Sequence, residues 1–145
     1  MSNLLWLEEW EALEKKFQTE GYDALTVSER LWHSLHNMID AMESYGITGL
    51  YCSKQVEYLP EIMEDLASLG FLDLVDKIEK LNHSFPNHYP PANPDVCCQI
   101  IEEMEETSDK KLMEEINDLF FESMPDLETK LDLVIASIVG QEPVI

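Results

Sequence analysis

Apolar residues recur along this chain at helical spacing, and no segment longer than four residues alternates apolar with polar. Trp6, Trp10, Leu13 and Phe17 share one face of a first helix over residues 4–18. Glu8, Glu9 and Glu11 come early in it and Lys15 and Lys16 late, the order that suits a helix dipole. Leu4, Leu5 and Leu7 spill beyond that face, as N-terminal packing in preference to a dimer contact. Gly21 ends the helix. Thr26 with Glu29 spells a capping box for a second helix, residues 27–45. Val27, Leu31, Leu35, Met38, Ile39 and Met42 form its inward stripe. Glu29, His33, His36, Asp40 and Glu43 form a solvated opposite face, and Gly46 is the stop. Thr48 opens a short helical segment over residues 49–55.

Pro60 sits in the first turn of the next helix, with Ile62, Met63, Leu66 and Leu69 inward and Gly70 after it. Leu72, Leu74, Val75, Ile78 and Leu81 trace another. In residues 82–93, Pro86, Pro90 and Pro91 exclude regular helix and make a stiff connector. Asn93 and Pro94 supply an N-cap and first-turn proline for a helix to Glu106. Ser108 caps one to about Glu122, and Pro125 starts the last, to Val139. The pattern predicts an all-α fold: a single compact domain, residues 1–145, of seven to eight short helices.

Charge changes the picture at residues 95–132. Thirteen acidic residues stand there against three lysines, a net −10 of the chain's −21. On a helical wheel Val96, Cys97, Ile100, Ile101 and Met104 fill one arc, with Asp95, Gln99, Glu102 and Glu106 opposite. The next helix turns Leu112, Met113, Ile116, Leu119 and Phe120 inward and Glu114, Glu115, Asp118 and Glu122 outward. Neighbours at that spacing have Cβ atoms about 5–6 Å apart. Ordinary solvated faces mix lysines among their glutamates, yet Glu102, Glu103, Glu105 and Glu106 have none before Lys110. Like-charge crowding costs roughly 0.2–0.5 kcal/mol per i, i+4 pair, so the arrangement is not one chosen for stability. Rows of fixed carboxylates resemble one edge of a nucleic-acid backbone, with a phosphate per ~3.4 Å on each strand. The predicted partner-binding residues are Glu102, Glu103, Glu106, Glu114, Glu115, Asp118 and Glu122. Phe121, off the buried arc, either packs under the last helix or anchors a partner inside the acidic patch.

A chain this acidic repels bare nucleic acid and anionic membrane and attracts basic surfaces. Its 45% hydrophobic content and its Trp and Tyr residues argue against disorder. Early glutamates and the lack of a long apolar run predict neither a signal peptide nor a membrane span, and a cytoplasmic location. Cys52, Cys97 and Cys98 lack ligand spacing, so free thiols in a reducing compartment are the expectation. No hydrolase elbow, zinc-peptidase pair or P-loop is present, and the expectation is a protein that is not an enzyme, with no cofactor, metal or catalytic residue. His33, His36, Asp40 and Glu43 are metal ligands by type only.

The order of segments is also familiar: YGITGLYCSKQ (residues 45–55), EIMEDLASLGFLDLVDKIEKL (61–81), FPNHYPP (85–91) and INDLFFESMPDLETKLDLVI (116–135). Over residues 25–138 the chain resembles the bacterial DNA-mimic (DMP-type) family, with residues 1–20 outside the likeness. Where that family has Asn-Gly-Gly-Phe, this chain has Ile47, Thr48, Gly49 and Leu50; its aromatic-rich Gly-Asp turn is replaced by Gln55, Val56, Glu57 and Tyr58. The resemblance implies an all-α homodimer whose surface imitates duplex DNA and sequesters a basic DNA-binding protein, either a transcription factor or a nucleoid protein. The alternatives are an immunity-type inhibitor of a nuclease toxin and, third, a metal-dependent helical-bundle enzyme.

Overall fold

The computed structural model describes residues 6–140. Among these the fold is all-α, with no strand and with six helices: α1 (Leu7–Glu20), α2 (Val27–Tyr51), α3 (Leu59–Ser68), α4 (Leu72–Asn82), α5 (Pro94–Met104) and α6 (Asp109–Val139). Short 3-10 segments at Tyr22–Ala24, Lys54–Tyr58 and Pro86–His88 join them. The count falls below seven to eight because two pairs of expected helices are continuous.

The first continuity is in α2, the central helix, which packs against α1, α3, α5 and α6. Thr26 and Glu29 form the predicted capping box, each side chain bonding the other's backbone N–H. Leu31, Trp32, Leu35, Met38, Ile39 and Met42 are buried, whereas Val27 at the helix start is 79% exposed, outside the stripe assigned to it. Gly46 does not stop the helix; it bends it. Tyr45 (φ −141°, ψ 16°) and Gly46 (φ 66°, ψ −153°) leave helical geometry, and helix resumes to Tyr51. The Gly46 conformation is one that side-chain-bearing residues avoid. The bend deprives Ile47 of its helical acceptor, and the Asn117 Oδ1 of α6 accepts from the Ile47 N–H at 2.7 Å. Past the bend the backbone closes so tightly that a Cβ on Gly49 would lie 2.5 Å from the Ala41 carbonyl oxygen. This gives a packing reason for the one glycine of the family motif that survives here.

The second continuity is α6, which runs through Pro125. Proline cannot bond the carbonyl four residues back, that of Phe121. Both residues are exposed, so water can serve that carbonyl, and the interruption is tolerated. Ser108 makes no side-chain cap; the Thr107 hydroxyl accepts from the Asp109 N–H instead, at 3.2 Å. Asn93 caps α5 as expected, accepting from the N–H groups of Asp95 and Val96. Leu72, which helps trace α4, and Val96, on the buried arc expected of α5, stand exposed at the starts of these helices. Leu4 and Leu5 lie outside the described residues.

The buried side of each helix otherwise follows its apolar stripe: Ile62, Met63 and Leu66 on α3, Leu74, Ile78 and Leu81 on α4, Ile116, Phe120, Leu127, Leu131 and Ile135 on α6. One polar pair is sealed inside: the Tyr51 hydroxyl donates to Asn82 Oδ1, tying the end of α2 to the end of α4.

The bend sets a stability test. Gly46→Ala places a Cβ 2.7 Å from the Asn117 side chain and forces a strained φ; it should cost roughly 2–3 kcal/mol. Asn117→Ala strands the Ile47 N–H and should cost about 1–3 kcal/mol. Urea unfolding followed by circular dichroism measures both. Losses under about 0.5 kcal/mol in each would show that the bend is held by something else.

Candidate partner-binding surface

The structure places every carboxylate of the predicted rows at the surface. Glu102 and Glu103 project from α5, and Glu114, Glu115, Asp118 and Glu122 from α6. Glu106 is exposed too, but α5 ends at Met104, so it sits in the turn between the helices and not on a fourth step of the row. α5 and α6 each pack more extensively on α2 than on each other, so α2 fixes their relative placement. Among the described residues, the side chains of Glu103, Glu106, Glu114, Asp118 and Glu122 have neither a hydrogen bond nor an ion pair. Glu115 meets Lys77 of α4 at 3.5 Å, and Glu105 accepts from the Thr48 hydroxyl at 2.9 Å. Both contacts tie the acidic segment to the body of the fold; Glu115 is thereby ion-paired, while the five carboxylates named above stay open. Phe121 is 48% exposed, edge-on to the buried Phe120. It does not pack under a separate last helix, because α6 is unbroken. It lines a shallow depression with Glu43, Met124, Pro125 and Glu128.

The cysteines correct the free-thiol expectation. Cys52, just past α2, and Cys98, in the second turn of α5, form a disulfide with Cα atoms 4.4 Å apart. No spacing rule pairs residues 46 apart in sequence; the bend of α2 brings them together. The bond lashes α5 to α2 on the acidic side, with Glu102 Oε1 3.6 Å from the Cys98 sulfur. Cys97 stays a free, buried thiol whose pKa burial pushes up to about 12, so it remains protonated.

On the outward face assigned to α2, Asp40 and Glu43 are exposed as expected, but the two histidines are covered. His33 is 4% exposed because α1 covers it: Phe17 stacks on its ring at 4.1 Å and Glu14 meets Nε2 at 3.1 Å. Trp10 stacks on His36 at 3.7 Å, and His36 Nε2 faces Asp40 at 3.3 Å. Burial holds both imidazole pKa values below the usual range, and the neighbouring carboxylates offset part of that. The two rings thus serve as packing surface for α1, each with its own carboxylate. Among the described residues, one set of three His, Cys, Asp or Glu groups has ligand atoms within 4.8 Å: Cys52, Cys98 and Glu102, whose two sulfurs are bonded to each other.

On α3, Asp65 and Glu61 leave one carboxylate oxygen each buried without a hydrogen-bond partner. Burial, then the charges of Glu64 and Glu61, raise the Asp65 pKa to about 6.

Two measurements follow from these groups. The disulfide closes a long loop, worth at most about 4 kcal/mol by chain entropy; Cys98→Ser should lower the melting temperature by about 10 °C, and dithiothreitol should lower the parent but not the variant. Equal melting of variant and parent under oxidising conditions would contradict the bond. For Asp65, the folded pKa lies above the unfolded one, so its contribution is fully present below about pH 4 and is lost as pH rises through 6. Asp65→Asn should therefore stabilise the protein by about 1 kcal/mol at pH 8, the full shift being discounted for partial exposure. It should do nothing at pH 4; a pH-independent effect in urea titrations would refute the assignment.

Comparison with known sequences agrees with the geometry. A family model described as DMP19-like protein matches residues 23–139. That span leaves out α1 and takes in the bent α2, the disulfide, and both acidic helices. No curated protein and no solved structure matches the chain significantly. With four-fifths of its length accounted for by that one model, the chain belongs to the DMP19-like protein family.

Proposed function

We propose that this protein is a non-enzymatic DNA mimic: its α5–α6 surface presents carboxylates in place of phosphates to a basic DNA-binding protein and competes with DNA for it. The supporting observation is the set of unpaired carboxylates Glu103, Glu114, Asp118 and Glu122 on helices fixed to one core, with Glu106 in the turn between them. The helical backbone fixes the spacing at which most of these carboxylates are rooted, so only side chains have to be ordered at encounter. A binding surface for lysines and arginines needs its anions unneutralised from within, and five of the nine Lys and Arg residues make ion pairs outside this set. Phe121 would supply an aromatic contact within the charged field. Long-range attraction speeds encounter, and the apolar contact slows release. The partner is a transcription factor or nucleoid protein, and the mimic acts as a homodimer in the cytoplasm.

Capture from a cytoplasmic extract tests this. A basic DNA-binding protein should be retained at about 0.1 M salt, where the Debye length is ~10 Å, and released at about 1 M, where it is ~3 Å. DNA should compete. Glu114→Gln combined with Asp118→Asn and Glu122→Gln should weaken binding about tenfold or more, near 1.4 kcal/mol. Recovery of only salt-insensitive proteins would refute mimicry, and recovery of a nuclease toxin from which the protein rescues cells would make it an immunity-type inhibitor.

A further inference from the structure

Away from the α5–α6 surface, α3, α4 and the loop residues His88 and Tyr89 line an open pocket of about 530 Å³, within the size range of side-chain and ligand pockets. Its floor is apolar, built from Met63, Ala67 and Val75. Its two helical walls each contribute a carboxylate, Glu64 from α3 and Glu79 from α4. Neither carboxylate has a hydrogen bond or ion pair among the described residues. No lysine or arginine lines the cavity, although Lys77 and Lys80 lie on the same helix; they turn to Glu115 and Asp76 instead.

The loop side is shaped rather than slack. Asn87 (φ 63°) and His88 (φ 62°) both adopt left-handed backbone, a strained arrangement for consecutive non-glycine residues. His88 Nδ1 lies 3.0 Å from the His83 carbonyl oxygen, which ties the loop back to the end of α4. The next residue, Tyr89, is 44% exposed and lines the cavity. Beside it Glu61 leaves Oε2 buried without a partner, and its charge, after burial, raises the Tyr89 pKa, so the phenol stays neutral.

An apolar part of the lining, two unpaired carboxylates from different helices and an aromatic ring match one side chain better than others. An aliphatic stem covers the floor. A planar cation bonds carboxylates in a fork and stacks on a ring, which a lysine ammonium does less well. We propose that this pocket is an arginine socket, which takes an arginine side chain of the basic partner as a second, directional contact separate from the carboxylate rows. It rests on the proposed function only for the source of the arginine.

The socket can be tested without the partner. Nα-acetyl-arginine amide is titrated into the full-length protein and followed by backbone amide NMR. Saturable shifts should centre on Met63, Glu79 and Tyr89. Glu79→Gln, at an exposed position, should weaken them at least fivefold, and Ala67→Phe should abolish them by filling the floor. Nα-acetyl-norleucine amide, which keeps the stem and lacks the cation, should give no saturable shift. Shifts that rise linearly and spread over α5 and α6, or that survive Glu79→Gln unchanged, overturn the proposal even if Ala67→Phe fails to fold. In extract capture, Glu79→Gln should weaken retention of the partner at fixed salt, and unchanged retention overturns the socket's part in that contact. Saturable arginine binding together with capture of no basic protein would instead uphold the socket and remove the mimicry reading.

Discussion

The bend in α2 is the constraint on which the other parts depend. A straight helix through Gly46 would carry Ile47, Leu50 and Tyr51 away from the core in which they are buried. It would also carry Cys52 away from Cys98. The bend is possible because glycine reaches the required φ, and it is stable because Asn117 supplies the acceptor that Ile47 loses. A buried N–H without a partner costs roughly 1–3 kcal/mol, a large share of the net stability of a domain this size. Asn117 lies in the middle of the acidic stretch of α6, one residue before Asp118. The same helix therefore holds the scaffold together with one side chain and presents charge with the next.

That division explains how a chain of net charge −21 keeps a folded acidic face. Repulsion among the carboxylates opposes folding, and it is offset away from them. The offsets are an apolar core running through all six helices, a covalent tie from α2 to α5, and cross-links such as Lys77–Glu115 and the Lys130 ammonium donating to the Leu69 carbonyl at 2.7 Å. None of these neutralises Glu103, Glu106, Glu114, Asp118 or Glu122. Stability and most of the surface charge are thus handled by different residues, Glu115 serving both.

α1 stands apart from this arrangement. It lies outside the region shared with the DMP19-like family and docks through rings, Trp10 and Phe17 against His33 and His36. Histidines that read as a solvated face in the sequence became a floor because a neighbouring helix arrived over them. Wheel positions say which residues share a face; they do not say whether another element covers it.

The sequence by itself determined the helical class, the capped starts of α2 and α5, the buried stripes of most helices, and the exposure of every acidic row residue. These follow from local rules, 3.6-residue periodicity and capping chemistry, that act within a few turns. Tertiary structure decided the rest. Pro125 reads locally as a helix start, and packing on both sides of it kept α6 whole. Gly46 reads as a stop, and a side chain 70 residues further along made it a bend. Cys52 and Cys98 carry no signal of pairing, since two cysteines meet only when the path between them closes. The cavity between α3, α4 and the proline-rich loop was likewise invisible, for Glu64, Glu79 and Tyr89 are ordinary surface residues until the fold turns them toward one space. Charge composition fixed the sign of the surface; only the packing of the helices decided which side chains share one space.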